Sequence, residues 1–130
     1  NLAHTYKAME EYDKALENYE KALQLDPSNI RLNEEAADAY FESGNKDDAI
    51  RLNKKLSELF PESDLPYINI GNYHLMSGDT LKAIRNWEKA VEKVPQVKLC
   101  YMLSKHYNNM GDKKRAYYYY QLGKDAEKKK

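Results

Sequence analysis

The sequence predicts an all-α protein, an α-solenoid of antiparallel helix pairs, and three observations carry that prediction. Ala15, Ala49, Ala83 and Ala116 recur at intervals of 34, 34 and 33 residues. Pro27, Pro61 and Pro95 follow the first three alanines by twelve residues. Gly44, Gly78 and Gly111 precede the last three by five. Small, helix-ending and turn-forming residues held in one register mark stacked helical hairpins, each too small to bury a core alone. Function in such an array is expected on a surface rather than in a catalytic pocket.

The pattern opens in mid-helix. Residues 1–9 read as the end of a first helix, and further helices are predicted at 12–25, 30–43, 46–60, 64–77, 80–94, 97–110 and 113–128. The first repeat holds Leu2-Ala3 and Tyr6, then Tyr12, Ala15, Tyr19 and Ala22, and closes on Leu25-Asp26-Pro27. The second holds Ala36-Ala37, Tyr40, Gly44, Ala49, Leu56 and Pro61. Asn53 stands where an aromatic is expected, so this hairpin is expected to pack less tightly. In the third, Tyr67, Ile70, Gly71, His74 and Leu75 recur at the three- and four-residue spacing of an amphipathic helix. Gly78 interrupts it, and Asp79 is placed to cap the next helix. Ala83, Trp87, Ala90 and Val91 form the second stripe, and Pro95 ends it by removing a backbone donor. Gly71 and Ala83 are expected where the two helices cross, with Trp87 filling the volume beside them. The fourth repeat gives Leu103-Ser104, Tyr107, Gly111, Ala116, Tyr120 and Gly123, one residue short between Pro95 and Leu103.

This frame resembles the tetratricopeptide repeat family, whose pattern is an aromatic, Leu-Gly, Tyr, Gly, Ala, an aromatic, Ala and Pro. Tyr67, Ile70-Gly71, His74, Gly78, Ala83, Trp87, Ala90 and Pro95 carry it most completely. The resemblance implies a right-handed superhelix and covers the whole chain, as one domain over 1–130 with about 3.5–4 repeats: 1–29 incomplete, then 30–63, 64–97 and 98–130.

Composition excludes several classes. At 42% hydrophobic residues the chain can pack an interior, yet no apolar run approaches the length of a membrane span. The lone Cys100 rules out an internal disulfide framework and a cysteine-based metal site. A reducing compartment is compatible with it, which slightly favours the cytoplasm. The start without methionine reads as a fragment of something longer. The Lys-rich run from Lys124 to Lys130 reads as a natural or near-natural terminus, with no separate capping helix evident. Net charge is zero but unevenly spread. Residues 1–29 carry 3 basic and 6 acidic side chains, 30–63 carry 5 and 8, 64–97 carry 4 and 4, and 98–130 carry 9 and 3. Such asymmetry bears on association rather than on fold.

No catalytic constellation emerges, and no cofactor or metal is expected. His4, His74 and His106 are too few and dispersed for a metal site, and His74 takes the packing register of Tyr6, Tyr40 and Tyr107. Cys100 reads as a small apolar side chain. The run Tyr117 to Tyr120, beside Lys113, Lys114 and Arg115, suggests a stacking platform for nucleic acid. Four consecutive residues fan out over about 300° of a helix, however, so they cannot share a face. Tyr117 is expected beside the hairpin partner, Tyr120 in the Trp87 position, and Tyr118 and Tyr119 facing onward along the array. Neither nucleic acid nor membrane insertion is expected.

The resemblance implies a concave surface lined by the first helix of each hairpin. Its register assigns Glu34, Glu35, Asp38 and Phe41 to this surface from repeat two. Repeat three adds Ile68, Asn69, Asn72 and Met76, and repeat four adds Tyr101 and Lys105. Ile68 and Met76 lie outside the packing stripe, as anchor residues would. One subset of the family grips a C-terminal carboxylate with Lys, Asn and Arg. Here Glu34, Asp38 and Met102 replace key members, so that clamp is not expected. The sequence therefore points to a non-catalytic interaction module, a scaffold that binds a peptide or helix bearing apolar and basic residues. Two alternatives stand beside it: a self-associating module forming homo-oligomers, and the docking or regulatory part of a longer enzyme or cell-envelope protein.

Overall fold

The computed structural model describes residues 2–129, with side chains from Glu10 onward. The readings placed on the side chains of Leu2, Ala3, His4 and Tyr6, and on Lys130, lie outside the described residues. Seven helices and no strand occupy the described chain: α1 (Leu2–Leu25), α2 (Ile30–Glu42), α3 (Lys46–Leu59), α4 (Leu65–Met76), α5 (Thr80–Lys93), α6 (Val97–Asn109) and α7 (Lys113–Lys128). From α2 onward every helix ends within one residue of its expected limits. The chain divides into two compact units, Asn1–Pro61 and Glu62–Lys130.

In the first unit the expected break near residue 10 is absent, and α1 runs through it as one helix of 24 residues. The turns between paired helices explain why. Gly44, Gly78 and Gly111 reverse the chain with φ of 92°, 86° and 83°. A side chain in that left-handed region costs about 1–2 kcal/mol. The same register position in the first repeat is Glu10, so the helix continues instead of turning. Leu16 and Leu23 of α1 are buried, while Tyr12, Ala15, Tyr19 and Ala22 remain half-exposed. Asn29 caps α2, its Oδ1 accepting the Leu32 N–H at 2.9 Å. Asn33 Nδ2 donates to the Asn29 and Pro27 carbonyls at 2.7 and 3.1 Å, tying the turn to the helix it starts. Ala36, Ala37 and Ala49 are fully buried at the crossing of α2 and α3. Asn53 does not loosen that hairpin as expected. It is fully buried, and its Nδ2 donates to the Ala49 carbonyl one turn earlier at 3.1 Å. The Tyr40 hydroxyl donates to the Glu20 carboxylate, which Arg51 also approaches at 3.7 Å.

The second unit holds the hydrophobic core formed by α5, α6 and α7, with Tyr67 and Ile68 of α4 packed against it. Asp79 and Asp112 cap α5 and α7, each accepting a backbone N–H at 3.2 Å. Gly71 meets Trp87 where α4 crosses α5, and a Cβ there would collide with the indole. Ala83, Ala90, Cys100 and Leu103 are fully buried. At the α6–α7 crossing a Cβ on Gly123 would come within 2.8 Å of the Tyr101 ring. Ser104 Oγ donates to the Ala116 carbonyl at 2.6 Å. The residue missing before Leu103 leaves this last hairpin closed.

Candidate functional site: two cavities and an acidic helix face

The first-helix register places ten residues on surfaces, and the structure groups them unevenly. Glu34, Glu35, Asp38 and Phe41 lie on α2. Glu35 is exposed and receives Arg31 Nε at 2.9 Å. Glu34 is half-buried, and desolvation followed by the Asp38 charge raises its carboxyl pKa above the ordinary range. Two close carboxylates on one helix face hold a negative field that a cation would relieve.

In the second unit, Ile68 and Asn72 of α4 and Met102 of α6 line a cavity of about 380 Å³ floored by Trp87 and Leu99. Gln96 and Lys98 stand on its edge. Ile68 is not wholly spare, because it packs half-buried against the core and offers the cavity its remaining surface. Met76 is strongly exposed on α4, and neither it nor Asn69 lines this cavity. Tyr101 and Lys105 belong to a different cavity, about 610 Å³, between α6 and α7.

The tyrosine run departs from expectation. Tyr119 does not face onward. It is buried, its hydroxyl donating to Glu88 Oε2 at 2.7 Å and its ring stacking on Tyr107 at 5.7 Å. Tyr107 donates to the other Glu88 oxygen at 2.5 Å. Tyr117 is largely exposed, yet it lies beside its hairpin partner as expected, lining the cavity between α6 and α7. Tyr120 stands in the Trp87 register yet is also exposed. The four rings form no single stacking platform. His74 and Cys100 are buried, as packing residues are, and burial pushes the Cys100 thiol pKa up, away from the reactive thiolate.

Among the described residues no three His, Cys, Asp or Glu side chains group to hold a metal, and no helix is long and apolar enough to cross a membrane. An all-α helical-repeat protein with open, mixed apolar and charged surfaces is what these features define.

Comparison with known proteins agrees. Residues 1–29 match the family model described as Tetratricopeptide repeat, and the resemblance read from the repeat register holds. No curated protein sequence matches the chain. Among solved structures, one titled "Crystal structure of MamA protein" is 24% identical, with 95% of this chain and 68% of that one covered and a TM-score of 0.61. Residues 41 to the end of MamA from Desulfovibrio magneticus RS-1 are 18% identical, covering 95% and 71%, with a TM-score of 0.62. These likenesses establish the helical-repeat fold.

Proposed function

We propose that the protein is a non-catalytic interaction module, one repeat domain that binds a segment of another protein along its first helices. The cavity bounded by Ile68, Asn72 and Met102 over Trp87 supports this reading most directly. It offers an apolar floor with an amide and a lysine at its margin, which suits one anchoring side chain on a peptide. In the first unit, the acidic face of α2, at Glu34, Glu35 and Asp38, suits basic residues of a partner. Affinity for one such linear segment is expected in the micromolar range, about −8 kcal/mol.

Selection from a displayed library of random twelve-residue peptides tests the proposal. Enriched sequences should combine a large apolar residue with Lys or Arg. Met102→Glu, at an exposed position, should weaken the best peptide about tenfold by titration calorimetry, a loss of roughly 1.4 kcal/mol. Charge reversal by Glu35→Lys with Asp38→Lys should remove most of the salt dependence of binding. Binding indifferent to both changes defeats the assignment.

The charge gradient favours one further reading, head-to-tail self-association of acidic and basic ends. A strict monomer in sedimentation at high concentration and low salt would dismiss it.

A further inference from the structure

The geometry points to a second docking surface, the α6–α7 face around Tyr117, which receives an amphipathic helix with acidic flanks from a partner protein. Its site lies beyond the α4–α6 cavity. The second unit itself shows what such a face accepts. One repeat earlier, the same register positions on α5 are Ile84 and Trp87, only 6% and 4% exposed within one buried cluster that includes Leu99, Leu103 and Tyr107 of α6. Their counterparts on α7 are Tyr117 and Tyr120, which are 66% and 43% exposed.

The two faces share a shape but differ in chemistry. Tyr101 replaces Ile68, and its ring lies 5.7 Å from Tyr120. With Tyr117 and Ala116 these rings wall a cavity of about 610 Å³. Tyrosine suits a surface that must be wet when empty and apolar when covered, because its ring buries area while its hydroxyl keeps a polar edge. Lys105 and Lys113 stand at the same cavity, and Lys124 lies 5.6 Å over the Tyr120 ring. Carboxylates flanking the incoming apolar ridge would meet these ammonium groups, and basic flanks would be repelled.

A stapled helical peptide carrying residues 96–110 of this chain, with Cys100→Ser, supplies the ridge Leu99, Leu103 and Tyr107. In a second version Lys98→Glu and Lys105→Glu make its flanks acidic. The acidic peptide should bind the full chain at least about tenfold tighter than the first. That binding should vanish in the Tyr117→Ala, Lys113→Glu variant, whose unchanged circular dichroism melt would certify its fold. Met102→Glu should leave it intact, so this site and the α4–α6 cavity fail or stand separately. Equal affinity of the two peptides, no binding by either, or binding that survives the Tyr117 and Lys113 changes overturns the proposal. So does a concentration-dependent dimer that Tyr117→Ala dissolves, because the occupant would then be a second copy.

Discussion

Glu88 gathers more of the second unit's order than any alanine in the repeat frame. Its two carboxylate oxygens accept the hydroxyls of Tyr107 and Tyr119, from two different helices, and Arg115 lies 5.5 Å over the Tyr107 ring. Burial and these bonds push Tyr107 up to about 12 and Tyr119 higher still, since a phenolate beside a carboxylate is repelled. Tyr40, against Glu20, is likewise pushed up to about 12. The neutral phenol is thus favoured in the folded state. The stability it contributes is fully present below the ordinary tyrosine value near 10 and is lost as pH rises towards 12. Urea midpoints should therefore hold to pH 9 and fall steeply between pH 10 and 12, alongside late-rising tyrosinate absorbance. Glu88→Gln should soften that alkaline fall. The sequence carried a trace of this pair, because Glu20 and Tyr40 stand in nearly the same register as Glu88 and Tyr107. Lys54 and His74 occupy the corresponding places between, and a broken repeat is hard to read as a bond. Gly71 was legible, since close crossings need a missing side chain. Gly71→Ala gains roughly 1 kcal/mol of helix propensity but drives a Cβ into a rigid, buried indole. Overpacking at about 1–3 kcal/mol wins, so the variant should be less stable by urea denaturation. A double-mutant cycle with Trp87→Phe should show coupling between the two positions.

At the scale of elements, turn chemistry decided where the sequence could be trusted. Gly44, Gly78 and Gly111 all adopt positive φ, and the helices around them end where the pattern places them. The first repeat kept the alanine and aromatic stripe but lost the glycine, and periodicity alone cannot register a missing turn. Apolar spacing continues across residues 9–12 just as a longer helix would have it. Two substitutions read this difference in opposite directions. Gly78→Ala forces a Cβ into the left-handed region and should cost about 1 kcal/mol, seen as a lower melting temperature. Glu10→Gly places the permissive residue inside a continuous helix, where it costs about 1 kcal/mol of helical stability. Faster amide exchange over residues 8–14, with the rest of the chain unchanged, is the expected signature. Surfaces were legible to a different degree. The register assigned Ile68, Asn72, Tyr101 and Lys105 to one surface, whereas the first two line one cavity and the last two another. Which way Tyr119 turns depends on Glu88 of α5, a partner 31 residues away that no local spacing announces.

Across the whole molecule, the two units differ in how completely their helices are paired. In the second, α4 to α7 form two closed hairpins around a shared core in which Trp87, Val91, Leu103 and Tyr119 are buried. In the first, α2 and α3 close on each other, but the stripe of Tyr12, Ala15, Tyr19 and Ala22 along α1 is only half-covered. Repeat proteins gain stability from each hairpin and from each interface between neighbours, so a half-covered stripe lowers the local sum. Burying an aromatic or branched side chain fully is worth roughly 1.5–3 kcal/mol, and α1 forgoes part of that at Tyr12 and Tyr19. The second unit should therefore be the more stable. A fragment of residues 62–130 should fold alone and unfold cooperatively, with a melt resolved by circular dichroism. In the full chain, native-state hydrogen exchange should protect the amides of α5, α6 and α7 most, with α1 exchanging first through local opening. Equal protection of α1 and α6, together with an unfolded 62–130 fragment, would show that stability is shared along the array rather than concentrated in the second unit.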